Sequence, residues 1–253
     1  MVIITMRSAV FYYGRDLPSD QISAAGIGQA RIVLQPYHPL LTADRFADYF
    51  PNCSLFVYWN PTGVHADTLK DAREHVKLLE PDPVWNLARL DLRSAASRRF
   101  AVRQGLRALN DSGTCVTGLF VDDLDLWSGS SQQDTAIEVV NSVLMQAGRD
   151  VSLFINRAFP LWPLLPGIDA VLLEGVTPGL VDCMSESELT WIEHNVLPAV
   201  QEVRQRGAAI FGLTYESLQE DPPRRAASIE LAALSDDILY GSRSLDIWPE
   251  EIR

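Results

Sequence analysis

The chain has 253 residues, 47% of them hydrophobic and 21% charged, a balance that supports a sizeable core and excludes disordered or fibrous classes. Its 33 acidic and 21 basic residues give a formal charge of −12, which disfavours nucleic acid and anionic membrane surfaces as partners and favours a cationic one. Three widely separated cysteines, Cys53, Cys115 and Cys183, lack CxxC spacing and argue against a disulfide framework or a zinc site.

Short apolar runs recur along the chain with amphipathic stretches between them, the pattern of βα units building a parallel sheet. The first run is 8–13 (SAVFYY), closed by Gly14, with a helix-poor connection over 18–29. The second is 31–35 (RIVLQ), stopped by Pro36; a helix over 42–49 then leads to the third, 54–59 (SLFVYW). A helix is predicted from 66 to 79, ended by Pro81 and Pro83, which helices do not cross. An extended segment at 84–92 (VWNLARLDL) precedes a helix over 95–109 that opens behind a Ser94 cap.

The fourth run, 115–122, ends in GLFVDDLDLW, where an apolar strand gives way to three carboxylates within four positions. Carboxylates so close to a core need a shifted pKa, a cationic partner or a ligand. After a helix over 132–147 come the fifth run, 151–156 (VSLFIN), and the sixth, 169–174 (DAVLLE). The longest helix, 186–206, carries Pro198 near its middle and should be kinked or interrupted there. The seventh run, 208–215 (AAIFGLTY), a helix over 224–234 and the eighth run, 237–240 (DILY), complete the pattern.

Eight strands alternating with helices over this length predict a single-domain α/β (β/α)8 TIM barrel spanning 1–253, with an open doubly wound sheet as the alternative. No GxGxxG follows a strand, and no GxSxG or phosphate loop is present. The N-terminus has no signal-peptide cleavage pattern, so the expectation is a cytoplasmic protein, and no apolar stretch reaches the length of a membrane span.

Barrel chemistry belongs at the C-terminal strand ends. Those positions hold Tyr12, Tyr13, Arg15 and Asp16, then Tyr37 and His38, Trp59 and Asn60, Asp122, Asp123 and Asp125, Asn156 and Arg157, Glu174, Tyr215 and Glu216, and Ser242 and Arg243. Asp122 and Glu174 leave different strands and suit a carboxylate pair for glycoside hydrolysis, one as acid and the other as nucleophile or base. Tyr13, Tyr37, Trp59, Trp127 and Tyr215 offer faces for sugar rings, and Asn156 and Asp125 can hydrogen-bond a substrate. Asp123, alternating with Asp122 on a pleated strand, is the expected structural acid. The competing use of the acids, with His38, is a Mg²⁺ or Ca²⁺ site; a reaction without metal or organic cofactor is the favoured expectation.

In order and spacing, YYG at 12–14, WNLARLDLRS at 85–94, GLFVDDLDLW at 118–127, FINRAF at 154–159, LLEGV at 172–176 and LTY at 213–215 resemble the landmarks of glycoside hydrolase family 114. These are the endo-α-1,4-polygalactosaminidase-like barrels, related to spherulin-4-like galactosaminidases. The resemblance implies an enzyme acting on an α-1,4-linked galactosamine polysaccharide, with Asp122 and Glu174 as its catalytic pair and Asn156 at the position of the family's Asn or Asp after strand five. An amino-sugar polymer is cationic, in keeping with the acidic chain. Glu174, whose flanks are the more apolar, is the expected general acid, with the reverse assignment open. A non-catalytic carbohydrate-binding barrel is the alternative function.

Overall fold

The eight apolar runs lie side by side in one parallel sheet in the computed structural model, which describes residues 9–12, 30–42, 46–65, 76–81, 87–113, 115–127, 132–174, 190–214 and 236–240. Its strands are β1 (Ala9–Tyr12), β2 (Arg31–Leu34), β3 (Ser54–Trp59), β6 (Val116–Val121), β7 (Ser152–Asn156), β8 (Ile168–Glu174), β9 (Ala209–Thr214) and β10 (Asp237–Tyr240), in that spatial order. Between β3 and β6 a separate antiparallel pair, β4 (Gly63–His65) and β5 (Leu87–Arg89), extends from the C-terminal end of β3.

The sheet is curled. In a flat sheet β2 and β8, four places apart, would be separated by roughly 19 Å. Yet Arg31 Nε on β2 lies 2.5 Å from Asp169 Oδ2 on β8, and the Phe11 and Phe154 rings of β1 and β7 have centroids 5.5 Å apart. The concave side holds an aromatic cluster of Phe11, Phe56, Phe120, Phe154 and Phe211, with Val33, Leu172 and Leu213. The convex side holds the larger core, where Leu55, Val57, Leu119, Val121, Leu153, Ile155, Val171 and Leu173 meet the helices. Strands buried on both faces read as continuous apolar runs, which is why the sequence shows where they are but not which way each side chain points.

Helix α1 (Pro39–Thr42) and helix α2 (Phe46–Tyr49) follow β2; helix α3 (Ala95–Asp111), helix α4 (Gln133–Gln146) and helix α5 (Leu197–Gln205) pack on the convex side. Ser94 precedes α3 in an extended conformation, but its side chain makes no capping hydrogen bond. Ahead of α5 the chain makes a π-helical turn, Ile192–Val196, with Leu197 N–H bonding the Ile192 carbonyl. Pro198 brings no N–H to the helix, and the wider turn before it absorbs that loss, so the expected interruption is a π turn.

One expected element fails within the described residues. The end of the helix predicted over 66–79 is extended instead: Leu78 bridges Leu90 antiparallel, and Leu79 N–H donates to the Arg89 carbonyl at 2.8 Å. Pairing with the edge of β5 satisfies those backbone groups more completely than a helix end would. The earlier part of that helix, the connection over 18–29 and the helix over 224–234 lie outside the described residues.

Gly118 marks a very close approach in the sheet: a Cβ there would stand 1.9 Å from the Ser152 carbonyl oxygen on β7. Backbone cannot yield as a side chain does, so Gly118→Ala should force β6 and β7 apart. The expected outcome is a loss of about 1–3 kcal/mol or more, read as a lowered urea unfolding midpoint.

Candidate active site

Pleating decides what stands at the mouth of the curled sheet. On β3, β6, β7 and β8 the last concave-side core residues are Phe56, Phe120, Phe154 and Leu172. Two positions on, the same face presents Tyr58, Asp122, Asn156 and Glu174. The site is thus the next layer above the aromatic core, and Tyr58 stacks on Phe120 with centroids 6.1 Å apart.

These four side chains form one hydrogen-bonded group. Tyr58 Oη donates to Asp122 Oδ2 at 2.9 Å, and the Asp123 backbone N–H donates to Asp122 Oδ1 at 2.9 Å. Asn156 Nδ2 donates both to Asp122 Oδ1, at 2.8 Å, and to Glu174 Oε2, at 2.5 Å. Burial pushes the Asp122 carboxyl up to about 6, with the charges of Asp123 and Glu174 adding to the rise and the Asn156 and Tyr58 hydrogen bonds opposing it. Burial, then the same two aspartates, holds the Tyr58 hydroxyl well above its usual range, so it remains a donor at ordinary pH.

Asp123 turns away into a supporting cluster, with a left-handed φ of 57° that Asp tolerates better than most residues. Its Oδ2 accepts from Asn60 Nδ2 at 2.7 Å and from Arg89 on β5 at 3.0 Å. Asn60 Oδ1 in turn accepts from the Thr62 and Gly63 backbone N–H groups, so the β4–β5 arm is tied directly to the residue beside Asp122. Arg157 and Ala158, at φ 49° and 56°, form a second left-handed turn at the end of β7. Trp162 Nε1 donates to the Arg157 carbonyl and pins that turn. The Arg157 guanidinium lies 3.7 Å from Asp123, 3.9 Å from Asp125 and 3.7 Å from Glu174. Burial alone would lower its pKa, but Asp125, Glu174, Asp122 and Asp123 together raise it. Two adjacent strained residues holding one cation among several acids are characteristic of a functional site.

The residues expected at the rim divide. Asp122, Asn156 and Glu174 come together as one unit. Asp125 lies in a 3-10 turn, Leu124–Trp127, and not on a continued strand, yet it reaches the same cluster through Arg157, and burial raises its pKa. Trp127 is 3% exposed in the convex-side core, and Trp59 does not reach the mouth either: it is 3% exposed on the convex side, where a Cβ on Gly105 of α3 would touch its ring. Being one residue from Tyr58 it points the opposite way, so the aromatic at this strand end that faces the site is Tyr58. Tyr37 is 54% exposed on the turn after β2. Tyr13 and Tyr215 lie outside the described residues. His38 is buried, with Nδ1 accepting the Leu40 N–H, and among the described residues no group of three or more His, Cys, Asp and Glu side chains is placed to hold a metal ion.

Sequence reasoning missed Tyr58 and Arg89, and placed Asn60 at a strand end without giving it a role. The alternation Phe56–Tyr58 matching Phe120–Asp122 was available for the first, whereas the other two act through contacts that no local pattern encodes.

The glycoside hydrolase domain of PelA from Pseudomonas aeruginosa is similar over 95% of this chain and 96% of that domain, at 21% identity and a TM-score of 0.69. The chain shares its fold with a glycoside hydrolase. Ega3 from Aspergillus fumigatus, solved in complex with galactosamine, is similar over 96% of this chain and 92% of that protein, at 14% identity and a TM-score of 0.60. Malate synthase from Haloferax volcanii, at 12% identity and a TM-score of 0.50, covers 97% of this chain with 70% of its own, so the fold alone is compatible with other chemistry. No family profile and no curated protein sequence matches the chain.

The Asp122 environment has a thermodynamic signature. Its folded pKa lies above the unfolded value of about 3.9, so the folded state holds the extra proton between the two, and stability falls as pH rises from about 4 to about 6. Asp122→Asn removes that penalty while keeping an acceptor for Asn156 and a donor for Tyr58. It should raise the melting temperature at pH 7, with the gain vanishing below about pH 4, a comparison made by calorimetry across pH. Tyr58→Phe should move the Asp122 titration further upward, because it deletes a bond to the charged form, as read from carboxyl carbon chemical shifts.

Proposed function

We propose that this protein is a glycoside hydrolase that cleaves α-1,4-linked galactosamine-type polysaccharide with Asp122 and Glu174 as its carboxylate pair. The observation that carries the reading is the shared amide of Asn156. One nitrogen 2.8 Å from Asp122 Oδ1 and 2.5 Å from Glu174 Oε2 keeps those oxygens no more than about 5.3 Å apart, the sum of the two distances. Carboxyl groups about 5–5.5 Å apart belong to retaining glycosidases, in which the second carboxylate is a nucleophile; inverting enzymes leave roughly 6.5–9.5 Å for a water. The likeness to the PelA glycoside hydrolase domain and to Ega3, solved with galactosamine, supports both the reaction and the amino-sugar class. The charge of −12 supports a cationic polymer.

Roles follow from the lone pairs. A carboxylate has about four acceptor positions, and donors from Tyr58, Asn156 and the Asp123 backbone occupy three of those on Asp122. These donors favour the anion and fix its plane, leaving one lone pair on Oδ2 to attack the anomeric carbon. Glu174 is the general acid: it protonates the departing glycosidic oxygen, then takes a proton from the water that hydrolyses the glycosyl ester on Asp122. Asn156 holds both groups in register, and Arg157 balances the acids around them. The fold that carries this is a single (β/α)8 barrel domain, closed between β10 and β1, a reading supported by the eight-stranded parallel order and the curl of the sheet.

Asp122→Asn and Glu174→Gln should each lower cleavage of a partially deacetylated α-1,4-galactosamine oligomer by at least about a hundredfold without loss of binding, as followed by product mass analysis. NMR of the first product should show the anomeric configuration of the substrate. Since Asp122 must be ionised to attack, kcat/KM should fall as pH drops below about 6, and EDTA should leave the rate unchanged. A wild-type protein that binds amino-sugar polymers and cleaves none would overturn the enzymatic reading in favour of a binding barrel.

A further inference from the structure

Arg89 reaches the site from outside the eight-stranded sheet. It lies on β5, opposite Gly63 of β4, and its carbonyl accepts the Leu79 N–H at 2.8 Å, so its backbone is held from both sides. Its largely buried guanidinium lies 3.0 Å from Asp123 Oδ2, the oxygen that also accepts from Asn60 Nδ2 at 2.7 Å. Gly63 leaves room for that arrangement: a Cβ there would stand 2.9 Å from Asn60 Nδ2. A glycine, an asparagine and an arginine thus converge on the carboxylate next to Asp122 in the chain.

What these contacts hold in place is a backbone group. Asp123 sits at a φ of 57°, a conformation that costs a residue with a Cβ, and from there its N–H donates to Asp122 Oδ1 at 2.9 Å. The Thr62 hydroxyl, 3.3 Å from the Asp123 carbonyl oxygen, meets the other end of the same residue. The negative charge of Asp123 works against its neighbour, because after burial it does most to disfavour the anionic form of Asp122. Arg89 offsets that charge from one side and Arg157, 3.7 Å away, from the other. Arg157 is shared with Asp125 and Glu174, whereas Arg89 stands at hydrogen-bonding distance from Asp123. Among the described residues, the other titratable groups facing this pair of aspartates are Tyr58 from β3, Asp125 from the 3-10 turn and Glu174 from β8.

We propose that Arg89 is a positioning residue for Asp122: by pairing with Asp123 it holds that residue's N–H on Asp122 Oδ1 and offsets its charge, so the β4–β5 arm keeps the attacking carboxylate oriented and anionic. The catalytic consequence rests on the hydrolase reading, whereas the effect on the Asp122 carboxyl needs no substrate. Both parts of the role act in one direction. Without Arg89 the Asp123 charge is less balanced and its N–H less firmly aimed, and each change favours the protonated form of Asp122.

The test follows the Asp122 carboxyl carbon by NMR across pH in the intact chain, the resonance being assigned by its loss in Asp122→Asn. Arg89→Met, which keeps an unbranched stem, should move the Asp122 midpoint upward by at least about half a pH unit. Arg89→Lys, which returns the charge, should recover about half of that shift or more. Asp123→Asn should move the midpoint downward, because it removes the opposing charge while Asn tolerates the left-handed turn. In the Asp123→Asn background Arg89→Met should shift the midpoint by less than about a third of its effect in the wild-type chain, as expected of a residue that acts through Asp123. The acid limb of kcat/KM on an α-1,4-galactosamine oligomer should move with the titration. Where Arg89→Met does not fold, as judged by melting, Arg89→Gln, which can still donate to Asp123 but carries no charge, is read in its place with the same expected sign. A midpoint unmoved in a folded Arg89 variant that lacks the charge overturns the proposal, as does an undiminished shift in the Asp123→Asn background. Cleavage of galactosamine polymer with an unmoved midpoint removes this inference and leaves the hydrolase reading. The expected shifts in a protein that cleaves no polymer remove the hydrolase reading and support the hold of Arg89 on Asp122.

Discussion

A single amide nitrogen, Asn156 Nδ2, stands between Asp122 and Glu174 and sets how close two like charges come at the mouth of a curled sheet. Without a donor between them, two carboxylates at that spacing would repel and splay. With one, each gains a hydrogen bond to its charged form and the separation is fixed by the length of those bonds. The rest of the site serves that arrangement. Arg157 faces Asp123, Asp125 and Glu174 from a left-handed turn, and Arg89 reaches in from the β4–β5 arm to hold Asp123. Asp122 nonetheless retains an elevated pKa, because burial outweighs the bonds it accepts.

Below this polar layer lies an unusually aromatic floor. Phe120 meets Phe11 and Phe154 at centroid distances of 5.2 and 5.3 Å, in edge-to-face contacts that fix ring orientation as well as area. Each of the strands that supply Tyr58, Asp122 and Asn156 carries one of these rings two residues earlier, so the same packing that closes the core aims the polar groups above it. At the opposite end the Arg31–Asp169 pair crosses the interior, with the Arg31 guanidinium over the Phe211 ring. The site thus stands on a buried, closely packed aromatic platform.

The strands were legible because strand existence is a local property. Runs such as SLFVYW and DAVLLE, bounded by Pro, Gly and polar residues, can bury themselves only as strands, and their alternation with helical segments implies a parallel sheet. Strand ends were legible for the same reason, and with them Asp122, Asn156 and Glu174 as polar residues leaving apolar runs. The segment at 76–79 was misread because its pairing partner, β5, is supplied by tertiary contact, and nothing in its own residues distinguishes an edge strand from a frayed helix.

What the amino-acid sequence alone determined, then, is the order of the elements and which polar residues sit at the ends of buried strands. What only the tertiary structure decided is which of them face one another. A strand apolar on both faces carries no mark of its inward side, so Trp59 and Tyr58 looked equivalent until the pleat was anchored by Phe56 in the aromatic cluster. The curl of the sheet, the passage of Arg89 to Asp123 and the turn that places Arg157 depend on contacts between residues far apart in the chain. The spacing of Asp122 and Glu174 is set by those contacts, through one asparagine.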